Sequence, residues 1–132
     1  MKLYEKMGGR PALLQLLRHF YADVRQHHLI GPVFNSHIQD WPTHLEKIAH
    51  FWSPMLGGPW GYAGAMPPKH VPLGLQEDHF AAWLGLWEHN CQIWLPAEAA
   101  NELISRAHFI AQRLREFCGL VPSRVGALSF GP

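Results

Sequence analysis

The sequence has no long apolar run, little charge and few cysteines. None of its apolar stretches approaches the ~18 residues that a membrane-spanning helix needs, so we do not expect a membrane protein. Charged residues make up 16% of the 132-residue chain, and the net charge is +1 without a basic run. This charge balance argues against nucleic acid or an anionic membrane as the partner. The N-terminal residues lack the apolar segment of a signal peptide, which predicts a cytoplasmic protein.

The two cysteines, Cys91 and Cys118, do not have the spacing of a metal or redox motif. We expect them to be buried thiols rather than a disulfide, because no leader directs the chain to an oxidising compartment. Strand alternation, hairpin turn signals and internal repeats are also missing. Tryptophan and histidine are abundant instead, with six and ten residues. Six indoles predict either large buried rings or a pocket for something aromatic.

Apolar residues at helical spacing predict four main helices. They are expected over residues 11–26, 41–55, 76–94 and 96–117. The fold class is therefore all-α. A chain of this length forms one domain with a sizeable core. We expect that domain to span residues 1–132, with its core over about 11–119 and a loose tail at 120–132.

A Gly/Pro-rich loop separates the second and third predicted helices. A loop as long as residues 57–75 is uncommon in a compact domain unless it carries function. It contains His70, which Pro67, Pro68 and Pro72 hold in a stiff segment. Neutral imidazole is the usual proximal ligand of iron in globins, so His70 is a candidate axial ligand of a haem. On spacing alone, an ordinary solvated loop histidine remains the alternative.

The second predicted helix places His44, Ile48 and Trp52 one turn apart on one face. Tyr21 and Trp83 border the apolar stripes of their own helices. Side chains of these types can donate hydrogen bonds to the partial negative charge of iron-bound O2, so they could line the wall opposite an axial histidine. The alternative is that these residues belong to an ordinary core.

Other groupings give weaker signals. His19, His27 and His28 could bind a metal, but adjacent histidines within a helix point in different directions. No HExxH motif and no cysteine pair supports a zinc site. Neither a phosphate loop after a strand nor a GxSxG motif is present. No catalytic residue is therefore assigned.

Several segments, taken in order, carry a family resemblance. They are HFYADV (19–24), GPVFN (31–35), DWPTHLEKIAHFW (40–52), KHVPL (69–73) and HFAAWLGLW (79–87). Over residues 14–117 the chain resembles the truncated haemoglobins, most closely those of group III. The glycine pairs at 8–9 and 57–58 are more usual in the other groups, which leaves group II as the second choice. The resemblance implies a two-over-two helical sandwich that encloses a haem.

The resemblance also implies a role for individual residues. His70 becomes the proximal iron ligand. The distal pocket is formed by Tyr21, His44, Ile48 and Trp83. The haem contacts further include Phe34 on the porphyrin face, Phe51, and Trp52 at the inner end. Tyr62 and Lys69 are candidates for contacts to the haem propionates.

The implied function is that of a haem b protein that binds O2, NO and CO at a histidine-ligated iron. An enzymatic alternative is redox chemistry at the same haem, either conversion of NO with O2 to nitrate or activation of peroxide. It requires an external electron donor or reductase, because the chain is too short to include a reductase domain. A third hypothesis, from a different class, is a haem-free helical interaction module.

Overall fold

A computed structural model describes residues 1–59 and 74–120. Its α-helices are α1 (Leu3–Lys6), α2 (Gly9–Gln26), α3 (Gly31–His37), α4 (Trp41–Trp52), α5 (Glu77–Trp94) and α6 (Ala97–Phe117), and a 3-10 helix (Ser53–Leu56) follows α4 directly. The all-α prediction is confirmed. The predicted site residues Tyr62, Lys69 and His70 and the predicted tail beyond Leu120 lie outside the described residues.

Helices α2, α5 and α6 begin within two residues of their predicted starts and end where the sequence predicts. Helix α4 begins at Trp41 as expected, and Asp40 caps it by accepting a hydrogen bond from the Thr43 N–H at 3.3 Å. The prediction that this helix continues to residue 55 is wrong. Pro54 has no N–H for the next helical bond, so the chain tightens into the 3-10 helix.

The fold consists of two antiparallel helix pairs. Helix α2 packs against α4, α5 packs against α6, and contacts between α2 and α5 join the two pairs. This is the two-over-two globin arrangement. The stripe on α2 is buried as predicted, including Leu13, Leu17, Phe20 and Val24. Each such side chain contributes roughly 1.5–3 kcal/mol through burial, so the core fixes the rotation of α2 between its neighbours.

The apolar face of α6 is only partly buried among the described residues. Leu103, Ala107 and Leu114 are buried, whereas Phe117, the last residue of the helix, is 47% exposed. Among the helices of the described part of the chain, none is long and apolar enough to cross a membrane.

Gly57 and Gly58 end the 3-10 helix and let the N-terminal helix approach closely. Gly57 has a φ of 85°, in the left-handed region that favours glycine. A Cβ at Gly58 would lie 2.2 Å from the Tyr4 ring and 2.3 Å from the Ser53 hydroxyl. This close packing joins the N-terminal helix to the end of the 3-10 helix.

Candidate functional site

Tyr21 is the centre of a cluster of rings contributed by three helices. It is 5% exposed on α2. Its ring centroid lies 5.9 Å from Phe34 of α3, 5.6 Å from Trp41 of α4 and 5.9 Å from His44 of α4. Trp41 and His44 also contact each other edge to face at 5.6 Å. The aromatic neighbours hold the phenol in a mostly apolar environment, in which a hydrogen bond is worth more than in water.

Tyr21 also has a polar partner on α5. Trp83 is hydrogen-bonded to the phenol group. An indole N–H can only donate, so the phenol oxygen accepts this bond and the phenol keeps its own O–H as a donor. Burial raises the pKa of Tyr21 well above its usual value, and the bond from Trp83 opposes part of that rise. The phenol is therefore neutral, and a donor, at any physiological pH.

The raised pKa of Tyr21 predicts an alkaline limit to stability. Because the folded-state pKa of Tyr21 lies above the unfolded value, its contribution to the free energy of unfolding is fully present below the usual tyrosine pKa of about 10. That contribution is lost as the pH rises through the folded-state pKa. The chain has three tyrosines. In a spectroscopic alkaline titration we expect Tyr21 to ionise only together with unfolding. The Tyr21→Phe variant should lose that late step, and a tyrosinate that forms before unfolding in all three residues would contradict the burial.

Three indoles form a continuous stack behind Tyr21. Trp83 stacks on Trp87 at 5.3 Å, and Trp87 stacks on Trp52 at 4.6 Å. Phe20 packs edge-on against both Trp83 and Trp87, at 5.1 and 4.9 Å. The indole N–H of Trp87 donates to the Leu103 carbonyl on α6 at 3.1 Å. This stack joins α4, α5 and α6 and fixes the position of Trp83 next to Tyr21.

Trp87 is 0% exposed, so its truncation should be costly. We expect Trp87→Ala to lower the free energy of unfolding by about 3–5 kcal/mol, because it leaves a large cavity and removes the hydrogen bond from the indole to the Leu103 carbonyl. Urea unfolding measures this change. The matched control is Ile93→Ala on the same helix, where the side chain is 55% exposed and a change within about 0.5 kcal/mol is expected. Equal losses of unfolding free energy in the two variants would mean that the indole stack is not central to the core.

The side of the core next to Tyr21 has large apolar side chains that are only half-buried. They are Phe34, Trp41, Ile48, Phe51 and Trp83, all packed against the buried cluster. Ile48 follows His44 by one helical turn and so extends the same face of α4. The chemistry of this face matches a flat apolar group that these residues cover on one side, with the Tyr21 O–H as a hydrogen-bond donor next to it. The described residues therefore fit a haem.

The structure brings together the predicted site residues Tyr21, Phe34, His44 and Trp83. Trp52 lies deeper and reaches Trp83 through Trp87, and Phe51 packs edge-on against Trp52 at 5.2 Å. Sequence reasoning missed the role of Trp41, although it precedes His44 by three residues and so shares its helical face. It also did not single out Trp87, which lies at the centre of the indole stack. The roles of all these residues towards a cofactor remain predictions.

The metal site considered at His19, His27 and His28 does not form. Helix α2 ends at Gln26, so the rings of His27 and His28 stack at 4.7 Å instead of pointing apart, and the expectation for helical neighbours is wrong. His19 stacks on Trp94 at 3.9 Å. Across the two described segments, no group of three His, Cys, Asp or Glu side chains could hold a metal ion. Cys91 is buried and Cys118 is half-buried, and both are free thiols.

Comparisons with known proteins agree on one family. The model of the family described as "Bacterial-like globin" matches residues 2–115. The chain is 33% identical over 112 residues to the group 3 truncated hemoglobin of Campylobacter jejuni, covering 81% of this chain and 88% of that protein. It is 31% identical over 81 residues to a group 1 truncated hemoglobin of Nostoc commune, covering 61% of this chain and 67% of that protein.

Solved structures give the same result for the fold. A crystal structure of a group III truncated hemoglobin from Campylobacter jejuni superposes with a TM-score of 0.76 at 33% identity, covering 82% of this chain and 89% of that chain. The group II truncated hemoglobin of Bacillus anthracis superposes with a TM-score of 0.74 at 22% identity, covering 86% and 90%. At 22% identity, the similarity to the Bacillus anthracis structure concerns the fold alone.

Proposed function

The chain belongs to the bacterial-like globin family as a truncated haemoglobin, and we propose that it holds haem b through His70 and binds O2, NO or CO at the iron. Membership of this family implies a haem cofactor and a globin-type ligand-binding role. The observation that supports the finer proposal is the buried phenol of Tyr21, hydrogen-bonded to Trp83, at the edge of a half-buried apolar face. A bound haem supplies the iron at which a diatomic ligand binds.

The apolar residues of this face would hold the porphyrin. In the proposed assignment, Phe34 packs on its flat surface, and Ile48 and Phe51 cover it from α4. Trp52 closes the inner end of the pocket through its stack on Trp87. These side chains exclude water, which strengthens every hydrogen bond made inside the pocket. Tyr62 and Lys69 are proposed to meet the two propionates.

The polar residues would act on the ligand. Tyr21 donates its O–H, and Trp83 orients the phenol by donating to its oxygen. His44 lies within one ring contact of Tyr21 and provides a second hydrogen-bonding group on the same side. Because Tyr21 and His44 can both hydrogen-bond one small ligand, we expect slow release of O2. Simple delivery of oxygen is therefore a poor fit to this pocket.

The visible spectrum of the purified protein tests the proposal directly. Protein expressed with haem available should show a haem Soret band in the ferric and ferrous states, and CO should shift it. The extracted cofactor should behave as iron protoporphyrin IX without covalent attachment. A protein that takes up no haem under these conditions, yet is folded by circular dichroism, would instead be the helical interaction module.

A redox reaction at the same site is the second candidate, favoured by the same donors. Hydrogen bonds that stabilise developing charge on oxygen also assist its reaction with NO or the activation of peroxide. In this candidate function we propose that an electron donor or reductase supplies the electrons. Turnover of NO or peroxide with an external reductant, compared with free haem, tests this candidate. The cytoplasmic location remains a prediction.

A further inference from the structure

A surface cleft lies beside the ring cluster, between the end of α2, helix α3 and the start of α4. Its volume is about 560 Å³, within the range of small-molecule pockets. Arg25, Gln26, Asn35 and Gln39 supply its polar groups, and Ile38 and Trp41 supply apolar surface. The family assignment does not require a ligand here, because the cleft shares only Trp41 with the half-buried face that fits a haem.

Arg25 is held in one position in this cleft. Its guanidinium lies 4.6 Å from the centroid of the Trp41 ring. Its Nε donates to Asn35 Oδ1 at 3.3 Å, and Asn35 Nδ2 donates back to the Arg25 carbonyl at 3.1 Å. Among the residues that the structure describes, neither Nη group of Arg25 has a hydrogen-bond partner. The side chain thus presents two donors without the usual entropic cost of ordering them.

The remaining lining determines what these donors can bind. None of the described residues that line the cleft is acidic, so Arg25 is not neutralised there. A carboxylate accepts two parallel hydrogen bonds from one guanidinium. The ring of Trp41 and the side chain of Ile38 offer a surface for a flat apolar group. We propose that this cleft is a binding site for a small monocarboxylate with a flat apolar body, anchored by Arg25.

A carboxylate bound in the cleft should affect ligand binding in the proposed haem pocket, and this step rests on the proposed function. Trp41 lies between the two sites, because it lines the cleft and its ring lies 5.6 Å from both Tyr21 and His44. A carboxylate that tightens Arg25 on Trp41 restricts the motion of that indole. Carboxylate binding in the cleft and the kinetics of ligand binding at the iron are then coupled through the side chain of Trp41.

Calorimetric titration of the haem-loaded protein with benzoate tests the site. We expect saturable 1:1 binding that weakens by about tenfold or more in Arg25→Gln, because a hydrogen bond to a charged group is worth at least that factor. Arg18→Gln is the matched control, an exposed arginine on the same helix, and should bind benzoate like wild type. Saturating benzoate should slow CO association by about twofold in wild type, because it restricts the motion of Trp41, and should leave the rate unchanged in Arg25→Gln.

Two results would overturn the site. The first is equal benzoate binding in wild type and Arg25→Gln. The second is binding to haem-free protein that disappears on haem loading, since the cleft would then serve the cofactor's own carboxylates. Failure of the proposed function gives a different result, which is absence of the Soret band before any titration. The calorimetry then applies to the protein as purified and still decides whether the cleft binds benzoate.

Discussion

Replacing His70 by glycine should remove haem from the purified protein, and added imidazole should restore it. The proposal gives His70 the only protein bond to the iron. We expect haem retention to fall by more than about tenfold, because losing that bond costs more than the ~1.4 kcal/mol that one factor of ten represents. Imidazole can enter the space left by the side chain and supply the same nitrogen ligand. The Soret band, measured with and without imidazole, reports both effects.

The matched control for this experiment is His89→Gly. His89 is exposed on α5, away from the ring cluster, so its spectrum should equal that of wild type. Circular dichroism of both variants separates loss of the ligand from loss of the fold. A His70→Gly protein with an unchanged ferrous spectrum would reject the assignment of the axial ligand, whichever other residue then binds the iron.

The sequence predicts the long helices well because their signals are local. On α2, the buried residues Leu13, Leu17 and Phe20 repeat at helical spacing, and Pro11 suits a first turn. Helix α3 is not among the four predicted helices, because seven residues are too few to show a period. The predicted end of α4 is too late because the prediction places the stop at Gly57 and Gly58, whereas Pro54 already ends the α-helical bonding.

The site was predictable as a set of residues but not as an arrangement. The sequence indicates Tyr21 and Trp83 by their polar atoms at the edges of apolar stripes, and His44 by the helical face on which it lies. The fold brings His44 and Trp83 next to Tyr21. Which indole bonds to Tyr21 depends on how α2 and α5 cross, and periodicity contains no such information. Trp41 and Trp87 were underestimated for the same reason, because their importance comes from neighbours distant in sequence.

Removing the phenol hydroxyl of Tyr21 should speed O2 release. Tyr21→Phe keeps the buried ring and its contacts with Phe34 and Trp41 but loses the donor. A hydrogen bond to a charged group is worth about 1.5–3 kcal/mol, so the O2 dissociation rate should rise by roughly 10- to 100-fold. CO carries less charge on its oxygen, so its dissociation rate should change much less. Stopped-flow displacement of O2 by CO measures the first rate directly.

The hydrogen bond from Trp83 to the Tyr21 phenol gives a second, more specific prediction for O2 release. Trp83→Phe leaves the phenol in place but removes the donor that orients it, so O2 release should speed up by a smaller factor. In the double variant Tyr21→Phe with Trp83→Phe, the two effects on O2 release should not add. The reason is that Trp83 acts by orienting the Tyr21 hydroxyl, which the first substitution removes. Tyr4→Phe, on α1, controls for loss of a hydroxyl elsewhere. Additive effects, or unchanged release in Tyr21→Phe, would mean that the buried pair serves packing and that another group holds the ligand.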